Sequence, residues 1–143
     1  MAEKRIKREL GEIIDYFKCF CLSPYLGDVF NCDGCLIGPG NTPYEGGQFF
    51  FNVKFPRQYP FFGPSVTFTS IIFHPSISKS GRVNLSILNN DWSPKYRIFD
   101  ILMKIWDLLK NIDCDQKDNP EASELYNKDR LHFYRIAKEM RSN

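Results

Sequence analysis

The sequence has no apolar run near the roughly 20 residues that a membrane span requires. Its opening stretch, MAEKRIKREL, is charged and helix-forming rather than a signal peptide. A cytoplasmic or nuclear location, with no membrane partner, is therefore expected. Neither sign of charge dominates: 19 Lys and Arg stand against 17 Asp and Glu, for a formal net charge of +2. Bulk electrostatics gives no case for nucleic acid or an anionic surface, so any partner must be argued from local features. Histidine is scarce, and neither His74 nor His132 sits in a pattern that would support a Ser/His hydrolase. No internal repeat, low-complexity tract or linker marks a second unit, so one monomeric domain over residues 1–143 is expected.

What is present is core-forming material, 43% hydrophobic and 15% aromatic, enough for a substantial interior. The five cysteines, Cys19, Cys21, Cys32, Cys35 and Cys114, form an odd set with no secretion signal, which favours free thiols over disulfides. Zinc accepts four such ligands, and Gly34 would permit a tight ligating turn. However, the first pair lacks the usual two-residue spacing. Cys32 and Cys35 fall in a predicted strand, where residues three apart face opposite ways. No metal and no cofactor is predicted.

Ile6, Leu10, Ile13, Ile14 and Phe17 recur at offsets of 4, 7, 8 and 11, one stripe of a helix running from Ala2 to about Phe17. Lys4, Arg5, Lys7 and Arg8 crowd its first turns, where cations oppose the helix dipole. They form either a solvated face or a surface for an acidic protein; nucleic acid is disfavoured because no aromatic stacking platform accompanies them. Glycines and prolines then punctuate short alternating stretches. In the clearest, Phe49, Phe51, Val53 and Phe55 share one face and Gln48, Asn52 and Lys54 the other, with Phe50 as the exception. A proline-rich bend at residues 59–64 precedes a strand over Ser65–Thr69, and irregular sequence follows to about Tyr96. Ile98, Ile101, Leu102, Ile105, Leu108 and Leu109, thickened by Trp106, predict a central buried helix. Asn119-Pro120 reads as the cap and first turn of a short helix to about Tyr126, and Asp129 as the cap of a last one. Helix, strands, then helices implies an α+β fold with a meander sheet.

Five strings, KRIKREL, IGPGNTPYEGGQFFFNVKFPRQYPF, FHPSISKSGRVNLSIL, NNDWSPKYRIFDIL and LYNKDR, together span nearly the whole chain. Through them the sequence resembles ubiquitin-conjugating enzymes, and among these the small, tail-less class that works with RING ligases. The resemblance implies the UBC fold: an N-terminal helix, a four-stranded antiparallel meander, a central helix and two C-terminal helices. The family's chemistry needs a thiolate that accepts ubiquitin and passes it to a lysine amine. Aligned without a gap, Gly81-Arg82-Val83-Asn84-Leu85-Ser86-Ile87-Leu88 puts Asn84 on that cysteine. A carboxamide is not nucleophilic near neutral pH.

The neighbours depart as well. The family's His-Pro-Asn is here His74-Pro75-Ser76, and loss of an oxyanion donor typically costs about 2.7–4 kcal/mol. Gln116 aligns with the aspartate that handles the incoming lysine, although Asp115 and Asp118 flank it, and Ser86 takes the acidic position two after the cysteine. The resemblance therefore implies an inactive, regulatory protein with no intact catalytic residue. Its ligase-docking surface corresponds to Arg5, Phe61, Ser93 and Pro94, with Lys95, Phe62 and Gly63 departing from the family pattern. The expected partners are a RING or U-box ligase, ubiquitin, or an active conjugating enzyme. Phe61 and Pro94 have a second reading, local packing that closes the fold. Two further functions stay open: conjugation through an unexpected residue such as Cys114, and a degenerate scaffold.

Overall fold

The computed structural model describes residues 1–14, 19–113 and 115–141, so Phe17 and Cys114 lie outside the described residues. Helix α1 spans Ala2–Ile13 and is followed by strands β1 (Phe20–Tyr25), β2 (Asp28–Ile37), β3 (Gln48–Lys54) and β4 (Ser65–Phe68). The strands pair antiparallel in sequence order, the predicted meander. A 3-10 turn at Ser86–Leu88 leads to α2 (Ile98–Lys110), α3 (Pro120–Lys128) and α4 (Arg130–Met140). No described helix is long and apolar enough to cross a membrane.

Alternation decides which sheet face is buried. Phe49, Phe51 and Val53 of β3 are buried with Phe55 just beyond, and their cross-strand neighbours Leu36, Cys32, Phe68 and Val66 join them. Phe50, the exception in the pattern, points away from this layer and is 48% exposed. The opposing layer is α2, where Ile98, Ile101, Leu102, Ile105 and Leu109 of the predicted stripe are buried while Leu108 and Trp106 at its margin are half-buried. Phe99 sets its ring 6.1 Å from that of Phe20, and Trp106 Nε1 donates to the Ile37 carbonyl at 3.2 Å, so α2 is tied to the β1–β2 side.

Both predicted caps are present. The Asn119 side chain accepts from the Ala122 amide at 3.2 Å, and Asp129 accepts from that of His132 at 3.1 Å. The expected end of α3 at Tyr126 falls short, because the helix runs on to Lys128 before Asp129 both ends it and caps the next one. The segment expected to be irregular is bound in at several points. Phe68 N donates to Gly81 O at 2.8 Å, and residue 81 takes φ +92, a left-handed conformation that favours glycine. A side chain there would also collide with the Phe68 carbonyl.

Candidate functional site

The backbone around Asn84 is assembled from three places in the chain. Asn84 N donates to Ser76 O at 2.9 Å, and Asn119 N donates to Pro75 O at 3.2 Å, so the His74-Pro75-Ser76 turn holds position 84 on one side and the start of α3 on the other. The turn is anchored by His74, which is fully buried. Its Nδ1 accepts from the Ser76 amide and its Nε2 lies against the Leu108 carbonyl of α2, both at 2.9 Å. A carbonyl can only accept, so Nε2 carries the proton and the ring is neutral. Burial lowers the imidazole from its usual range to about 4, only partly opposed by the Leu108 bond. With both nitrogens engaged, His74 has a structural role and offers no base.

The Asn84 side chain is half-buried, and both hydrogens of its amide are used. Nδ2 donates to Gln116 Oε1 and to Asp118 Oδ2, each at 2.8 Å. Gln116 is held in turn, donating from Nε2 to Asp113 Oδ2 at 3.2 Å while its carbonyl accepts from Ser123 Oγ. The Asp115 amide, then the Gln116 side chain, hold the Asp113 carboxyl below its ordinary value. Gln116 and Asp118 thus fasten the loop between α2 and α3 to position 84, with Asp113 and Ser123 holding Gln116 in place. The structure brings together Asn84 and Gln116, two positions that the resemblance had set in the same site. Of the two flanking carboxylates, Asp118 is the one that reaches position 84.

An open groove of about 480 Å³ passes this point, lined by Ser78, Ser80, Arg82, Asn84, Asn89 and Asp118. Among the described residues no thiol lines it, and no cluster of three metal-binding side chains exists. Ser78 and Ser80 hydroxyls pair at 2.9 Å, and no histidine is among the described residues that line the groove. Ser76 stands apart from the groove chemistry. Its hydroxyl is buried and without a hydrogen-bond partner among the described residues. Ser86 is exposed and opens the 3-10 turn, where its carbonyl accepts from Asn89 N and Asp91 N at 3.0 Å.

A second surface lies where α1 meets the bend at residues 59–63 and the segment before α2. Phe61 and Phe62 are 76% and 64% exposed, so local packing does not account for them. Beneath them Trp92 Nε1 donates to Pro60 O at 2.8 Å, and its indole packs against Gly63, where a Cβ would approach to 2.8 Å. Pro94 and Lys95 are exposed and Ser93 half-buried. Arg5 differs from these in being an internal tie: Nη2 donates to Pro94 O and Tyr96 O, both at 2.8 Å, and Nε bridges to Glu9 at 2.6 Å. Glu9, only 2% exposed, also accepts from Tyr59 OH at 2.7 Å and Ile98 N at 2.8 Å. The sequence reading missed this network. Its signal was available: Glu9 falls on the apolar stripe of α1, four residues after an arginine.

An N-terminal helix, a four-stranded antiparallel meander and helices packed across it, with a groove beside the His-Pro turn, define a UBC-fold domain. Residues 5–141 match the family model for ubiquitin-conjugating enzyme, and the chain belongs to that family. Among solved structures it is similar to the E2 domain of a Toxoplasma gondii ubiquitin conjugating enzyme, with a TM-score of 0.93 and 29% identity over 99% of this chain and 97% of that one.

Proposed function

We propose that this chain is a ubiquitin-conjugating-type protein that carries no ubiquitin thioester and acts as a binding component of the ubiquitin pathway. One observation carries the reading: the side chain at position 84, where resemblance places the acyl-carrying cysteine, is a carboxamide with both amide hydrogens committed to Gln116 and Asp118. A carboxamide forms no thioester, and the buried Ser76 hydroxyl presents no donor to a developing oxyanion. Members of the family engage ubiquitin and E3 ligases. In this chain the exposed Phe61 and Phe62, with Pro94 beside them, supply the apolar anchor such an interface needs. A RING or U-box ligase is the proposed partner, met as a monomer in the cytoplasm or nucleus.

Incubation with activating enzyme, ubiquitin and ATP, followed by non-reducing electrophoresis, tests the central claim. No reducible ubiquitin adduct is expected. A band that vanishes on adding reductant, and that persists when Asn84 is the only residue changed, would place the acyl carrier elsewhere in the chain and overturn the reading.

A further inference from the structure

Strands β1 and β2 are paired so that Cys21 lies directly opposite Cys35. Their neighbours Phe20, Leu22 and Leu36 point into the core, which leaves both thiols on the outer face of the sheet, Cys21 exposed and Cys35 half-buried. The bond from Ile37 N to Cys19 O at 2.8 Å fixes the ladder's parity. Positions 19 and 37 are a hydrogen-bonded pair, and so, two residues along, are 21 and 35. Such pairs set their Cα atoms about 5.5 Å apart, inside the range a disulfide spans. The Cβ atoms of directly opposite residues generally lie about 4.5–5.5 Å apart, at or beyond the wide end of the Cβ separation a disulfide favours, so a bond at such a pair forms under strain and is readily reduced. Cys32 is the contrasting case. It is buried in the core, donates to Val29 O at 3.3 Å, and its thiol is pushed up to about 11 by burial, with Asp28 and Asp33 adding to the effect.

We propose that Cys21 and Cys35 form a reversible cross-strand thiol–disulfide site that exchanges with low-molecular-weight disulfides such as oxidised glutathione. The exposed Cys21 reacts first: its thiol loses a proton, the thiolate attacks one glutathione sulfur, and one glutathione leaves as thiolate. Cys35 then loses its proton and attacks Cys21 Sγ, expelling the second glutathione. Two protein thiols and one oxidised glutathione become one protein disulfide and two reduced glutathiones, which take up the two protons. The order follows exposure, and it agrees with the raised proton affinity of Cys35, which comes from burial first and from nearby Cys21 second. The product links the edge strand β1 covalently to β2, beside the half-exposed Phe50 that pairs with Cys35 from β3.

The test is incubation of the full chain with oxidised glutathione, then intact mass and non-reducing peptide mapping. The wild type is expected to lose two hydrogens, to yield a linked Cys21–Cys35 peptide pair, and to revert with dithiothreitol. Cys35→Ser is expected to stop at a glutathione adduct on Cys21. Cys21→Ser should form no intramolecular bond, while Cys19→Ser should behave as wild type. A stable glutathione adduct on the wild type, a bond mapped to Cys19, Cys32 or Cys114, or no reaction would each overturn the proposal.

Discussion

At the scale of single residues, the groove and the docking surface make opposite demands on their polar groups. Asn84 sits 2.8 Å from the Asp118 carboxylate, a partner that suits an amide donor and opposes a thiolate. Asn84→Cys is therefore expected to charge with ubiquitin slowly. It should discharge to free lysine about 100-fold or more below an active family member, the scale of one missing oxyanion donor. Single-turnover lysine discharge measures this, and brisk transfer would show that Ser76 and Gln116 are tolerated. At the proposed docking surface, Arg5 and Phe61, which the resemblance pairs with one another, have different physical roles. Arg5→Ala strips the cation from buried Glu9 and two donors from carbonyls of the segment before α2. It should lower stability by about 1.5–3 kcal/mol in urea melts. Phe61→Ala removes an exposed ring and should leave stability within about 0.5 kcal/mol, while weakening ligase binding by about tenfold or more in calorimetric titrations. Loss of binding in Arg5→Ala alone would not identify an interface residue, because the fold there changes with it.

At the scale of elements, His74 joins the turn that supports position 84 to the end of α2. Its folded pKa, lowered to about 4 by burial from the usual 6.5, means that the unfolded chain takes up a proton the native chain refuses. Stability is thus full above the unfolded value and falls as pH drops through the window between the two. The loss amounts to about 3 kcal/mol by linkage. Urea melts across this window should show the decline in the wild type, and a curve flat above pH 5 would contradict the neutral, buried ring. How much of this was legible differs between elements. The stripe of α2 and the alternation of β3 were readable because burial imposes a period on the residues themselves. The caps at Asn119 and Asp129 were readable because their chemistry is local. The supports of Asn84 were not, since bonds from 84 to 116 and 118, or from 74 to 108, leave no periodic mark. Choosing Asp118 over Asp115 required the loop's path. Glu9 was missed for a related reason: a charge on an apolar stripe reads as an interruption until Tyr59 and Ile98 N are seen to satisfy it.

At the scale of the whole molecule, one core of sheet and helices holds two surfaces with different fates in the proposed reading. The groove at Asn84 is fastened internally, its amide spent on the loop between α2 and α3. The surface at Phe61, Phe62 and Pro94 faces outward with apolar area unsatisfied by the chain itself. A protein that docks ligases but delivers no ubiquitin competes with the conjugating enzymes that do. In a reconstituted reaction containing activating enzyme, an active conjugating enzyme, a shared RING ligase and ubiquitin, excess of this chain is expected to slow chain formation in proportion to its occupancy of the ligase. Phe61→Ala should relieve the inhibition without loss of fold, because the ring it removes is 76% exposed. Raising the active enzyme's concentration should restore the rate, as competition for one ligase surface requires. Inhibition that survives Phe61→Ala would move the contact to another face, such as the outer sheet around Phe50. Unchanged rates at all concentrations would leave a stable fold with no ligase to occupy, the outcome that sinks the binding role while leaving the family assignment intact.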